Sequence, residues 1–258
     1  MFIGRWEMKE RIETDNKLVK AIMEPFETID DFREKIDATV AHANSEITRW
    51  KEFDKLFESQ IATLIERGVP EPIRRWLRNS KGDVMRHAME MTLGKWNIPF
   101  LPVISLDQRT VYDLMAMIRT TDGKVGYADH SYSVEDVEKT SALSYIFDIN
   151  DGTTSIEANE KNAEKLLAKQ NRFPLTITEV VALCVHTDVL SRIGYISALG
   201  SRFGGNENRD KRMAVSAEKN FGGRPKLCWG YVQEWPPHSS EGVPSRDCWP
   251  RMKPLVEG

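Results

Sequence analysis

Residues 174–200 read PLTITEVVALCVHTDVLSRIGYISALG. Thr176-Ile177-Thr178-Glu179 has the spacing of a capping box, in which the hydroxyl accepts from the backbone N–H three residues on and the carboxylate reaches back. It predicts a helix from Ile177 to Val185. A short strand, Gly194 to Leu199, follows. Further on, Met213–Ala217 and Leu227–Gln233 read as two strands of a hairpin with a Gly-rich connection. Upstream, ALSYIFDI at 142–149 is a strand ending in Asn150-Asp151-Gly152, a hairpin-type turn, with Thr153 to Ile156 as its return strand. IPFLPVISL at 98–106 carries Pro99 and Pro102, which restrict it to a strand start or a sheet edge. Thr110–Thr120 and Glu157–Lys169 are helical. Hairpin signals outnumber parallel crossovers, so the fold class is α+β: an antiparallel or mixed sheet with packed helices, preceded by a helical N-terminal region.

In that N-terminal region, Ile29, Ile36, Ala43, Trp50, Phe57 and Leu64 recur every seven residues, with Val40, Ile47 and Ile61 between them. The spacing predicts one helix over 28–67, ended by Gly68 and kept from continuing by Pro70 and Pro72. Arg33 and Asp54 interrupt the second seam, which departs from a strict coiled coil. The stripe either packs on its own domain or pairs with a second copy, making a homo-oligomer through residues 28–67. A second helical region, Glu71–Lys95, breaks at Asn79-Ser80-Lys81-Gly82, with Asp83 as cap of its second half. The expected organisation is a helical region over 1–96, of which 1–50 is an extension, and an α+β domain over 97–258.

The 258 residues are 40% hydrophobic and 29% charged, ordinary values for a globular chain that buries a sizeable core. A net charge of −3 argues against extended nucleic acid as partner. Three cysteines, Cys184, Cys228 and Cys248, make no disulfide framework. The first fifteen residues lack an apolar signal core, and no run has the length of a membrane span. These features lead us to expect a cytoplasmic protein with no membrane partner.

FDKLFESQIATLIERG, PLTITEVVAL with His186 beyond it, LGSRFGG, GGRPKLCWG and the Pro-Pro-His at 236–238 together resemble a bacterial domain family of unknown function, over residues 53–248. The resemblance implies a shared fold and no activity. The family has a shorter, basic segment after its LGSR-like motif, where this chain has NENRDKRMAVSAEKNFGG.

The chemistry-bearing residues gather near the carboxyl end. From Arg202 to Lys226 there are seven basic and three acidic residues, a local +4, flanking Gly204-Gly205 and Gly222-Gly223. Glycine lets backbone N–H groups approach an anion, and arginine offers a two-pronged fork to phosphate or carboxylate. Trp229 and Tyr231 share a face of the last strand and could stack a ligand or close the core. The set Arg202, Arg224, Lys226, Trp229 and Tyr231 points to a non-catalytic binding module for a small anionic ligand or an acidic segment of a protein partner. A basic run is also the ordinary decoration of a solvated hairpin. The alternative is a hydrolase or transferase of a phosphorylated or nucleotide-like substrate, with His186 or His238 as acid–base group and Arg202 stabilising charge. Neither Gly pair is a Walker loop or a dinucleotide fingerprint, and the sequence leaves the cofactor unknown. Cys184 and His186 lie about 200° apart on their helix, which argues against a shared metal ion. Asp148 to Gly152 reads as a turn, not a calcium loop.

Overall fold

A computed structural model describes residues 28–94, 97–128, 134–136, 143–153, 160–203, 211–216, 223–231 and 241–247. Its contacts divide the chain into two compact units, Met1–Glu52 and Phe53–Gly258. The division falls within a helix, α1 (Ile29–Glu66).

The seven-residue stripe of α1 therefore has two fates. In the second unit Phe53, Phe57, Ile61 and Leu64 are core. In the first unit Ile29, Ile36, Val40, Ile47 and Trp50 are each at least 45% exposed. The helix stops as the sequence requires. Gly68 takes a φ of +71°, its N–H donates to the Ile65 carbonyl, and the Val69 N–H reaches the Leu64 carbonyl. Val69 and Leu64 are both buried, which completes the hydrophobic contact of this type of helix end.

The remaining elements all lie in the second unit. They are α2 (Glu71–Asn79), α3 (Lys81–Glu90), β1 (Ile98–Ile104), α4 (Val111–Met115), β2 (Val134–Asp136), β3 (Leu143–Ile149) and α5 (Glu160–Lys169). After them come β4 (Arg172–Pro174), α6 (Ile177–His186), α7 (Val189–Arg192), β5 (Tyr195–Phe203), β6 (Lys211–Ser216), β7 (Lys226–Tyr231), β8 (Glu241–Gly242) and β9 (Ser245–Asp247). The fold is α+β. β1 and β3 form an antiparallel ribbon, with Phe100 opposite Phe147. β2, β5, β6 and β7 run antiparallel in that order, and β8 joins β5 in parallel at Tyr195 and Ile196. β4 pairs with β9.

α1 packs on the ribbon through aromatic rings. Phe53 meets Phe100 edge-on at 6.0 Å and Phe57 stacks on Tyr145 at 6.0 Å. Two polar side chains brought into this contact donate to backbone: Gln60 Nε2 to the Phe100 carbonyl and the Tyr145 hydroxyl to that of Leu77. α6 packs against β1, β5 and β6, and every residue from Ile177 to Val185 is buried. A helix enclosed all round must be apolar all round, which is what VVALCV supplies. Among the described residues no helix is long and apolar enough to cross a membrane.

Three expectations are corrected. The helix expected over 110–120 is a single short one, α4, because the chain turns back after Met117 to bridge Arg119 with Val125. Asp83 does not cap α3; the break is one residue long, and Ser80 takes the N-cap position with its hydroxyl committed to the Trp76 carbonyl. Thr153 is in no strand, and 154–156 lie outside the described residues; Asn150, at the end of β3, pairs instead with Ser245.

The two halves of the stripe should respond differently to truncation. Phe57→Ala is expected to lower unfolding free energy by about 3–5 kcal/mol, and Ile36→Ala by less than about 0.5 kcal/mol, in urea denaturation followed by tryptophan fluorescence. Equal losses would show that the exposed half is packed in solution.

Candidate functional site

The N-terminal end of α6 is the chemical centre of the second unit. The capping box read from the sequence is present: Thr176 Oγ1 accepts from the Glu179 N–H, and Glu179 Oε2 accepts from the Thr176 N–H at 2.8 Å. The Ile177 N–H donates to Ser201 Oγ at 2.7 Å. The other oxygen of Glu179, Oε1, receives Arg246 Nε at 3.0 Å, and both side chains are buried. The Arg246 guanidinium also lies over the Phe173 ring, 5.3 Å from its centre.

A second arginine anchors β4. Arg172 Nη1 donates to Asp148 Oδ2 at 2.6 Å and Nε to Ser245 Oγ at 2.9 Å. Asp148 also accepts from the Gly94 N–H and from Asn97 Nδ2. Burial alone would raise its carboxyl, but Arg172, Asn97 and Gly94 together hold it below the usual carboxylate range. These bonds fix Asp148 at a φ of +47°, a conformation few residues other than glycine adopt.

Above these two anchored arginines lies a cleft of about 400 Å³ between α5, β4 and β5. Leu167, Ala168, Phe173, Pro174 and Leu199 give it an apolar wall, and Arg172, Arg246, Arg202 and Glu164 supply charge. β5 reaches the cleft because Gly200 lets it touch the β4–α6 connection. Its N–H donates to the Leu175 carbonyl at 2.9 Å, and a Cβ there would lie 2.9 Å from the Pro174 and Leu175 carbonyls. The motifs PLTIT and LGSR thus meet at one wall.

Arg202 is the least committed cation of the cleft. Its Nη1 donates to the Leu199 and Ser201 carbonyls, and among the described residues its Nη2 has Glu164, 4.0 Å away and partly exposed. A pair so long and so wet contributes little.

Of the sequence-predicted set Arg202 borders this cleft, and Arg224 and Lys226 do not. Arg202 stands opposite Arg212, whereas Lys226 stands opposite Ser216, four residues along β6 and roughly 13 Å away at strand rise. At that far end Arg224 and Lys226 converge on Tyr127, with cations 4.5 and 5.7 Å from the ring centre, and Arg224 donates to the Val125 carbonyl. The backbones of Trp229 and Tyr231 lie in β7; their side chains, and all of His238, fall outside the described residues.

His186 is likewise apart from Arg202. It ends α6, ten residues long, so roughly 15 Å of helix separates it from the cleft at Thr176. It borders a second, wider cleft of about 750 Å³, together with Arg67, Arg119, Lys124 and Gly223. Both ring nitrogens are inaccessible and, among the described residues, without a hydrogen-bond partner. Burial and the nearby Arg67 charge push its pKa down to about 3, so the ring is neutral at physiological pH. Cys184 is buried, and burial raises its thiol above the ordinary value, away from nucleophilic use. Among the described residues no group of three or more His, Cys, Asp or Glu gathers to hold a metal ion.

Sequence reasoning missed Arg172, Arg246, Arg67, Arg119 and Glu164. None lies in the basic run, and only strand pairing and helix packing bring them to the clefts. Against known proteins, the chain matches no family model, no curated protein and no solved structure. The resemblance to a family of unknown function rests on its motifs alone.

Glu179→Ala is expected to cost about 3–5 kcal/mol, because it strands the Arg246 charge in the interior; the double change to Glu179→Leu with Arg246→Met should recover much of the loss in thermal unfolding. The depressed His186 value sets the sign of a pH effect. Between pH 6.5 and 3 the unfolded chain binds a proton at this residue and the folded chain does not, so stability falls as pH falls through that window. His186→Phe should flatten the slope between pH 6.5 and 5, where Asp148 remains ionised; an unchanged slope would show that the ring is protonated in the fold.

Proposed function

We propose that this chain is a non-catalytic binding protein for a small amphipathic anion, held in the cleft between α5, β4 and β5. The observation that carries the reading is Arg202, a guanidinium at the edge of an apolar hollow with one nitrogen nearly unengaged. A volume of about 400 Å³ is within the range that takes a small molecule. The apolar wall would receive a short hydrocarbon or ring, and Arg202 would hold its carboxylate or phosphate through a charge-assisted hydrogen bond from Nη2. Arg172 and Arg246 are already neutralised by Asp148 and Glu179, so they set the shape of the floor. Selection would come from pairing one anionic head with an apolar body. Glu164 guards the entrance as a displaceable counter-ion. An acidic segment of a protein partner could present the same carboxylate, and the catalytic alternative loses support for His186 from its distance to Arg202, while His238 lies outside the described residues.

Calorimetry with short- and medium-chain carboxylates and phosphate monoesters tests this reading. Binding should strengthen with chain length, weaken about tenfold or more in Arg202→Ala, and strengthen in Glu164→Gln, which removes the competing carboxylate. Binding that ignores both substitutions, or no binding across the series, would sink it.

A further inference from the structure

The part of α1 that belongs to the first unit carries an apolar face that the described residues leave uncovered. Ile29, Ile36, Val40, Ile47 and Trp50 are between 45% and 69% exposed. We propose that this face docks against the same face of a second copy of the chain, with the two helices antiparallel. The Arg202 cleft plays no part in it.

Single exposed apolar residues are ordinary, but these form a row. Positions 29, 33, 36, 40, 43, 47 and 50 alternate by four and three, the spacing that keeps one seam turned toward a partner helix. They hold Ile, Arg, Ile, Val, Ala, Ile and Trp. The five large apolar side chains expose roughly 500 Å² per copy, so a pair would cover on the order of 1,000 Å², the lower limit of a specific interface.

The orientation follows from the polar residues in and beside the seam. An interface with two-fold symmetry must be complementary to itself. One axis passing between Ala41 and His42 meets that condition along the whole row. It would set Ile36 opposite the partner's Ile47, and Val40 opposite the partner's Ala43, a larger side chain on a small one. Arg33, the break in the seam, would lie over the partner's Trp50, where an indole face attracts a guanidinium. Beside the seam the same axis would bring Asp30 to the partner's Lys51 and Asp37 to the partner's Asn44. Asp30, Arg33 and Lys51 are all exposed, and none has an ion pair among the described residues. A parallel pair places like positions face to face. Arg33 would then meet the partner's Arg33, a like-charge contact that opposes association. The charges of this face thus suit a second copy in one orientation and repel it in the other.

Sedimentation of the full-length protein over a range of concentrations is the test. We expect a monomer–dimer equilibrium with a dissociation constant of about 1–100 μM, as an interface at the small end of the range gives. Below that concentration the chain is single, and there Ile36→Ala stays nearly neutral to unfolding. Ile47→Glu, which sets a carboxylate in the seam, should weaken dimerisation about a hundredfold. Circular dichroism of this variant should be unchanged, because Ile47 is 52% exposed on the single chain. Asp30→Lys should weaken dimerisation about tenfold, since symmetry creates the like-charge contact twice. Adding Lys51→Asp should restore it, a rescue that a parallel pair does not offer. A chain that stays single at every soluble concentration would give the face to residues 1–27 or to another protein and overturn the proposal. A dimer indifferent to Ile47→Glu would overturn it too, as would a dimer in which Lys51→Asp fails to rescue Asp30→Lys.

Discussion

The buried start of α6 is the constraint on which the second unit depends. A helix end sealed inside protein leaves N–H groups that water cannot reach, and each must find an acceptor. Glu179 and Thr176 supply two, and Ser201 from β5 supplies a third. The Glu179 carboxylate is then a charge in the interior, which is costly unless countered. Arg246 from β9 provides the counter-charge. One carboxylate thereby ties the central helix to β9, while Ser201 ties it to β5. The 400 Å³ cleft is the space left where these elements meet α5.

A parallel arrangement holds the neighbouring corner. Asp148, at the end of β3, collects the Gly94 N–H, the Asn97 amide and the Arg172 guanidinium. Arg172 carries the connection to Ser245 of β9. Two arginines, one on β4 and one on β9, are thus spent on architecture, which is why the third, Arg202, stands out chemically. Its neighbours give it two carbonyls and one distant carboxylate. Interior charges that are fully matched build the floor, and the one that is not is left to meet a ligand.

The two ends of α6 differ in kind. At its start the Thr176, Ile177 and Glu179 N–H groups are answered from within the chain. At its finish the His186 ring nitrogens are buried with no hydrogen-bond partner among the described residues. His186 was legible as a candidate from its type and position, but its neutrality was not, because that comes from burial and from Arg67, brought there by the end of a distant helix. The basic run was legible too, as a cluster in sequence. Strand register then divided it, placing Arg202 at one end of the sheet and Arg224 with Lys226 at the other, around Tyr127. Sequence adjacency in a hairpin says little about adjacency in space, since residues along a strand separate by about 3.3 Å each.

By itself the sequence determined the local structure. The Thr176–Glu179 box, the Gly68 stop, the seven-residue stripe and the ALSYIFDI strand all fold as their patterns require, because capping, backbone sterics and hydrophobic period act over a few residues. The tertiary structure decided which strands are partners, where the stripe of α1 is buried and where it is exposed, and which arginines are neutralised. Those outcomes depend on groups far apart in the chain, such as Glu179 and Arg246, whose meeting no local pattern encodes. The clefts belong to the same class, since each is lined by segments that only packing brings together.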